Sequence, residues 1–169
     1  MAIPKKVINF LEKGKVKYEI IKHRTVYTAF DKAKTLKRGP LAGGWRVGRS
    51  PEKMVGKTLI LKTDGKLAMV LIPANKNLDK EKIKKLLKAK KVELVSERLI
   101  KNKFKGVKVG AIPPFGNLWG LRTFIDNSLM REKEIILNGG DYNFSIKLKS
   151  KEIKKLVPDS IFGNFGKKK

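Results

Sequence analysis

Two apolar stretches, "GKTLILK" at 56–62 and "LAMVLIPA" at 67–74, constrain the fold of this chain more than any other feature. Both are rich in β-forming residues. The "TDGK" between them is a hairpin signal, because Asp-Gly tolerates the positive φ angles of a tight turn. Around this hairpin the pattern mixes both kinds of element. "IPKKVINFLEKGK" carries Ile3, Val7, Ile8, Phe10 and Leu11 at near-helical spacing, with Gly14 as its stop. "VKYEII" reads as a strand, and "TAFDKAKTL" as a helix with Thr28 as N-cap and Asp31 in its first turn. "LDKEKIKKLLKA" reads as an amphipathic helix and "KKVELV" as the start of another strand. Further on, "LRTFIDNSL", "EKEIILN" and "DYNFSIKLK" read as strands, with Gly139-Gly140 at a turn. "SKEIKKLV" reads as a short capped helix, and "SIFGNFGKKK" is expected to fray at its basic end. The elements are interspersed without a regular βαβ rhythm, and the chain has no internal repeat. The expectation is a single α+β domain over 1–160 with a mixed central sheet, followed by a basic tail at 161–169.

Two segments interrupt the periodicity. Residues 38–53, "RGPLAGGWRVGRSPEK", read as an insertion loop or arm. Residues 108–116, "KVGAIPPFG", carry no charge from Val109 to Gly116, although the chain holds 41 Lys and Arg. The glycines and adjacent prolines exclude a regular helix or an interior strand there.

Charge narrows the partners. The 41 basic residues face 15 acidic ones, a formal net charge of +26. That excess opposes compaction unless a polyanion neutralises it, and nucleic acid is the commonest polyanion in a cell. The lysines run along the whole sequence, so a basic face or groove is expected in place of a single basic arm. Cysteine is absent and His23 is the sole histidine, which excludes a cysteine nucleophile, disulfides and a conventional zinc site. Neither metal nor cofactor is expected. No serine sits in a nucleophile-elbow context, "GKT" at 56–58 lacks the preceding glycine of a phosphate loop, and "GVKVG" is not a dinucleotide fingerprint. No apolar run approaches a membrane span and "MAIPKKVINF" has no signal-peptide core, so a cytoplasmic protein is expected. An enzyme built from these residues works through backbone dipoles, lysine and the groups of its substrate.

Lys57 opens the first hairpin strand and either points into a cleft at the strand end or is one more surface lysine. The loop from Gly110 to Gly116 is either a plain turn or a rigid frame that aims backbone N–H groups at a carbonyl or oxyanion. His23 reads as a structural or surface imidazole. Trp45, with Arg46 and Arg49, either stacks on a base beside its phosphates or covers apolar surface.

Taken in order, "VYTAFDKAKTL", "VGKTLIL", "LIPANKNLDKEKIKKLLKAKKVELVSE", "VGAIPPFG" and "TFIDNSLMREKEIILNGGDYNFSIKL" resemble the YbaK/ProX family of aminoacyl-tRNA editing domains over about residues 5 to 157. The resemblance implies a single α+β domain with a mixed, barrel-like central sheet flanked by helices. It implies hydrolysis, in trans, of the ester that joins a wrong amino acid to the terminal adenosine of a tRNA. Lys57 matches the lysine of the family's "K-T-L" strand, which lies in the active site. "VGAIPPFG" matches the loop whose backbone amides line the reacting carbonyl, giving Gly110, Ala111 and Ile112 a catalytic role and Pro114, Phe115 and Gly116 a substrate-binding one. "LNGG" matches the turn beside the same pocket, which brings in Asn138, Gly139 and Gly140. "YTAFDKA" matches the helix that walls it, bringing in Tyr27 and Thr28. Three positions depart from the family's pattern: Ala111 where a second glycine is usual, Pro113 where Ser or Thr is usual, and Asn138 in place of serine.

The function expected is that of an aminoacyl-tRNA deacylase with mischarged tRNA as partner, and an aminoacyl-tRNA synthetase or the ribosome as further partners. Trp45, Arg46 and Arg49 form its candidate RNA-contacting arm. The alternative is a non-catalytic RNA- or ribosome-binding protein on the same fold.

Overall fold

A computed structural model of the protein describes residues 3–23 and 51–168. The helix expected at 28–36, residues 38–50 of the insertion loop, and Tyr27, Thr28, Trp45, Arg46 and Arg49 lie outside the described residues.

Helix α1 (Lys5–Lys13) turns Val7 and Leu11 inward and ends at Gly14, and strand β1 (Tyr18–Lys22) follows. Strands β2 (Gly56–Thr63) and β3 (Lys66–Pro73) form the hairpin read from the sequence, closed by Asp64 and Gly65 with φ of 46° and 86°. Both central residues thus take the positive φ that Asp-Gly supplies. The Asp64 carboxylate accepts the N–H groups of Lys90 and Lys91, and these bonds hold its pKa below the usual carboxylate value. Strand β4 (Lys76–Leu78) leads to helix α2 (Lys80–Leu87), N-capped by the Asp79 carboxylate, then to β5 (Val92–Leu94). Helix α3 (Glu97–Lys103) is N-capped by Ser96.

Past the 108–116 loop, β6 (Arg122–Asp126) is shorter than its apolar run suggests, because residues 127–130 leave the strand for the helical turn α4 (Asn127–Met130). Asp126 causes the change: its carboxylate accepts from the Ser128 N–H at 2.9 Å and from the Ser128 hydroxyl, a local bond that competes with the ladder. Strands β7 (Glu134–Asp141) and β8 (Phe144–Lys149) form a second hairpin. Its turn is Tyr142-Asn143, not Gly139-Gly140, which lie inside β7 where the register shifts by a bulge. Helix α5 (Ile153–Leu156) follows a turn of 3-10 helix at 150–152 and has no side-chain cap, contrary to the capped helix read from the sequence. The C-terminal stretch expected to fray is paired instead, as β9 (Ile161–Gly163) and β10 (Gly166–Lys168).

These strands make a five-stranded sheet in the order β5-β2-β3-β6-β9, a three-stranded sheet β1-β8-β7 and a two-stranded ribbon β10-β4. The fold is mixed α+β: β6 runs parallel to β3 and β9, while the other ladders are antiparallel. The two larger sheets meet at a parallel bridge between Val55 and Ile136, fixed by the Ile136 N–H donating to the Met54 carbonyl at 2.9 Å. Gly56 makes the junction possible. A Cβ there would fall 2.6 Å from Leu71 Cδ1 and 3.2 Å from Leu137 Cδ2.

The largest core lies on one side of that junction, where α1 and α5 bring Val7, Leu11, Ile153 and Leu156 against Leu71, Phe115, Ile125, Leu137 and Ile146. A second cluster gathers Ile83 of α2 and Phe165 on the outer face of β2, β3 and β6. Asp126 ties the C-terminal segment to the sheet. Its buried carboxylate also accepts the Phe165 and Gly166 N–H groups at 2.9 and 2.8 Å, and Lys76 Nζ stands 3.8 Å away. Burial alone would raise the Asp126 pKa, but the bonds from Ser128, Gly166 and Phe165 outweigh it and hold the pKa low.

Candidate active site

The three-stranded sheet has two unlike faces, a consequence of the two-residue period of its strands. Ile135 and Leu137 of β7, with Ile146 and Leu148 of β8, point into the large core. The residues between them form the other face, where Ile136 pairs with Lys147 and Asn138 with Ser145, and Glu19 and Ile21 of β1 continue the rows. This face is polar but scarcely open: Asn138, Ser145 and Lys147 are all buried. Lys147 Nζ lies 3.4 Å from Glu19 and 3.6 Å from Glu134. His23, just past β1, puts Nε2 2.8 Å from Ser145 Oγ, and its backbone exchanges bonds with Asn143.

Lys57 lies on the adjoining five-stranded sheet, paired with Ile72 of β3. It stands two residues beyond Val55, as Asn138 stands two residues beyond Ile136, and Val55 and Ile136 are bridged in parallel. Strand alternation therefore carries Lys57 and Asn138 to the same side of the junction, with Lys57 half-buried at the head of β2.

The 108–116 loop is clamped to the end of β7 by backbone bonds. Gly140 N–H donates to the Ala111 carbonyl at 2.7 Å, Lys108 N–H donates to the Gly140 carbonyl at 3.0 Å, and Ala111 N–H donates to the Lys108 carbonyl at 3.0 Å. The Asn138 amide reaches the Ile112 carbonyl at 3.4 Å, and the Tyr142 hydroxyl donates to the Val109 carbonyl. Lys108 Nζ pairs with the Asp141 carboxylate at 3.3 Å and lies over the Tyr142 ring. Burial would raise the Asp141 pKa, yet the Asn143 N–H and Lys108 together hold it low. Gly140 adopts φ of 96°, and a Cβ there would lie 3.0 Å from both Pro4 Cδ and Val107 Cγ1.

The clamp decides which donors are available. Pro113 and Pro114 have no N–H, and Ala111 directs its own into the turn. Among the described residues, Gly110 and Ile112 are the loop positions between 110 and 114 whose N–H groups have no partner. Such a pair of fixed backbone donors can stabilise an oxyanion.

The sequence-derived site residues separate. Gly110, Ala111, Ile112, Asn138, Gly139 and Gly140 gather where β7 and the loop meet. Lys57 stands apart from them at the head of β2, on the strand face of Leu59 and Leu61 and opposite to Ile60, which packs against Ile112. Phe115 and Gly116 turn away: Phe115 is fully buried against Phe10, with ring centroids 5.0 Å apart, and Gly116 N–H donates to Thr123 Oγ1. Pro114 is buried beside them. Ser145, paired with Asn138, and Tyr142 and the Lys108–Asp141 pair, which brace the loop, adjoin these residues and are not singled out by the sequence. The signal for Ser145 was available, since Ser145 and Lys147 alternate with Ile146 and Leu148 and mark a polar strand face.

Comparison with known proteins adds the following. The family described as aminoacyl-tRNA editing domain matches residues 23–156. The proline–tRNA ligase of Caldicellulosiruptor bescii is 32% identical over 91 residues, which cover 54% of this chain and 15% of that ligase. The corresponding ligase of Caldicellulosiruptor saccharolyticus is 29% identical over 91 residues, with the same coverage of 54% and 15%. The match thus spans a small part of either ligase. Among solved structures, a hypothetical protein superposes with a TM-score of 0.79 at 20% identity, covering 96% of this chain and 100% of the other. A proposed trans-editing enzyme for prolyl-tRNA synthetase gives a TM-score of 0.75 at 17% identity, covering 96% of each chain. At these identities the likeness shows a shared fold.

Proposed function

The chain belongs to the aminoacyl-tRNA editing domain family, and we propose that it is a trans-editing deacylase that hydrolyses the ester of mischarged tRNA at the junction of β2, β7 and the 108–116 loop. The observation that carries this reading is the backbone clamp between Ala111, Lys108 and Gly140, which holds Gly110 and Ile112 with unengaged N–H groups at the end of β7. An aminoacyl ester is already reactive, so fixed donors for the developing oxyanion and a positioned water suffice without a protein nucleophile. In the proposed reaction, the Gly110 and Ile112 N–H groups polarise the ester carbonyl. Lys57 holds the substrate, and water adds to the carbonyl carbon, oriented by a hydroxyl of the terminal ribose. The tetrahedral intermediate expels the ribose oxygen, which takes a proton, leaving free amino acid and deacylated tRNA. Ala111, Pro113 and Asn138, where the chain departs from the family's pattern, are the proposed determinants of which amino acid is accepted, Ala111 and Pro113 foremost. The excess of basic residues supports tRNA as the partner, held through phosphates without reading sequence.

The test is loss of ester from a panel of mischarged tRNAs, beginning with tRNA for proline because the matched ligases act on it by name. Wild-type protein is expected to deacylate at least one member. Lys57→Ala is expected to abolish turnover while tRNA affinity stays nearly intact. Full activity in that variant would remove Lys57 from the mechanism. A second reading, a non-catalytic RNA-binding protein, is favoured by the two prolines and the engaged Ala111 N–H, which reduce the donors in the loop. Tight tRNA binding with no turnover across the panel would establish it.

A further inference from the structure

A cleft of about 420 Å³ opens between the end of α3 and the β7–β8 turn. Its lining combines Val107, Val109 and Tyr142 with Lys101, Lys105 and the Asp141-paired Lys108, over a base formed by Phe104, which is buried against Trp119. Lys101 and Lys105 are exposed, and among the described residues neither has a carboxylate within ion-pairing distance. Arg98, also exposed and three residues before Lys101 on α3, continues the positive strip away from the cleft. The cleft adjoins the proposed ester site by covalent continuity: Lys108 and Val109 line it, and the next three residues, Gly110 to Ile112, carry the clamp and the unengaged donors. Half-buried Val107, Val109 and Tyr142, edged by the exposed Lys101 and Lys105, suit a single-stranded nucleic acid, with bases against the apolar side chains and phosphates on the rim. A duplex offers its bases no such access.

We infer that this cleft holds the unpaired 3′ segment of the RNA immediately upstream of the nucleotide that carries the ester. The inference rests on the proposed RNA substrate and deepens it by placing the strand that delivers the ester. The loop then acts on both sides, with Val109 against the upstream nucleotides and Gly110 and Ile112 against the carbonyl.

The test measures binding of unfractionated deacylated tRNA, either intact or trimmed of its unpaired 3′ nucleotides, to wild-type protein and to Lys101→Ala/Lys105→Ala. Both lysines are exposed, so the fold is retained. The double variant is expected to bind intact tRNA more weakly, with the slope of log affinity against log salt lower by about 1.4, near 0.7 for each single-strand phosphate released. Its affinity for trimmed tRNA is expected to match that of wild type. Lys82→Ala/Lys85→Ala on α2 removes the same charge elsewhere and is expected to treat both RNAs alike. Unchanged binding of intact tRNA, equal loss on trimmed tRNA, or the same selective loss in the α2 variant would each overturn the inference. Failure of the deacylase reading would register separately, as absence of turnover by wild-type protein alongside a selective effect of Lys101 and Lys105.

Discussion

Replacing Gly140 by alanine tests whether the clamp between β7 and the loop depends on a backbone that only glycine supplies. The φ of 96° costs an L-residue about 1–2 kcal/mol. The added methyl would also stand 3.0 Å from Pro4 Cδ and from Val107 Cγ1, and relieving that crowding costs about 1–2 kcal/mol more. Gly65 supplies the control: its φ is 86°, and a Cβ there meets nothing within 4 Å. Gly65→Ala therefore reports the backbone cost alone. Urea unfolding of both variants should show Gly140→Ala destabilised by about 2–4 kcal/mol and Gly65→Ala by about 1–2 kcal/mol. If the loop yields instead, Gly140 moves away from Ala111 and Lys108, and the donors at Gly110 and Ile112 shift with it. A displacement of about 1 Å costs a catalytic site on the order of a hundredfold in rate. Deacylation by the folded Gly140→Ala protein should then fall by roughly that factor while Gly65→Ala keeps wild-type activity. The reasoning fails if Gly140→Ala is no less stable than Gly65→Ala and equally active.

Other substitutions address the supports of the site. Asp126→Asn retains one acceptor oxygen where the carboxylate serves four donors, so at least one buried N–H loses its partner and stability falls by about 2–5 kcal/mol in urea unfolding. Because the folded pKa of Asp126 is lowered, its contribution is complete above the ordinary value of 3.8 and is lost as pH falls through the lower folded value; acid titration of unfolding should show this loss in wild type and not in Asp126→Asn. Phe115→Ala opens the core beneath the loop and should cost about 3–5 kcal/mol of stability, with the remaining folded protein still hydrolysing ester if Phe115 is a packing residue. Tyr142→Phe removes the bond to the Val109 carbonyl and should lower turnover more than stability, which paired kinetics and unfolding measurements would resolve.

The β2–β3 hairpin was legible in the sequence because its information is local: two apolar strands and an Asp-Gly that accepts positive φ at both turn positions. The irregular 108–116 loop was legible for the same reason, since adjacent prolines forbid ladder bonding. Other features depended on distant partners or on competing local bonds. The run through Leu129 reads as one strand unless Asp126 is recognised as a helix cap that also accepts from Phe165 and Gly166, about 40 residues on. Gly139-Gly140 has the composition of a turn, yet the Asp141 carboxylate accepting from Asn143 N–H moves the turn to Tyr142-Asn143. The lysines at 167 and 168 suggested a loose end, whereas buried Phe165 and the pairing of β10 with β4 fix it. At the site, Lys57 and the loop drew notice through a pattern spread along the chain. Which amides remain available could not be read that way, because the clamp is a property of backbone geometry.

The pairing of β1 with β8 also has a consequence in time. Tyr18 faces Leu148 across that ladder, 130 residues later in the chain. At ribosomal speeds of about 5–20 residues per second, the first strand waits roughly 6–26 s for its partner. Throughout that interval Val7, Leu11 and Ile21, all buried in the finished fold, lack most of the surface that covers them. Newly made chains are therefore most prone to stick to one another before β8 emerges, and slowing synthesis in that stretch should lower the soluble yield more than slowing it after β8.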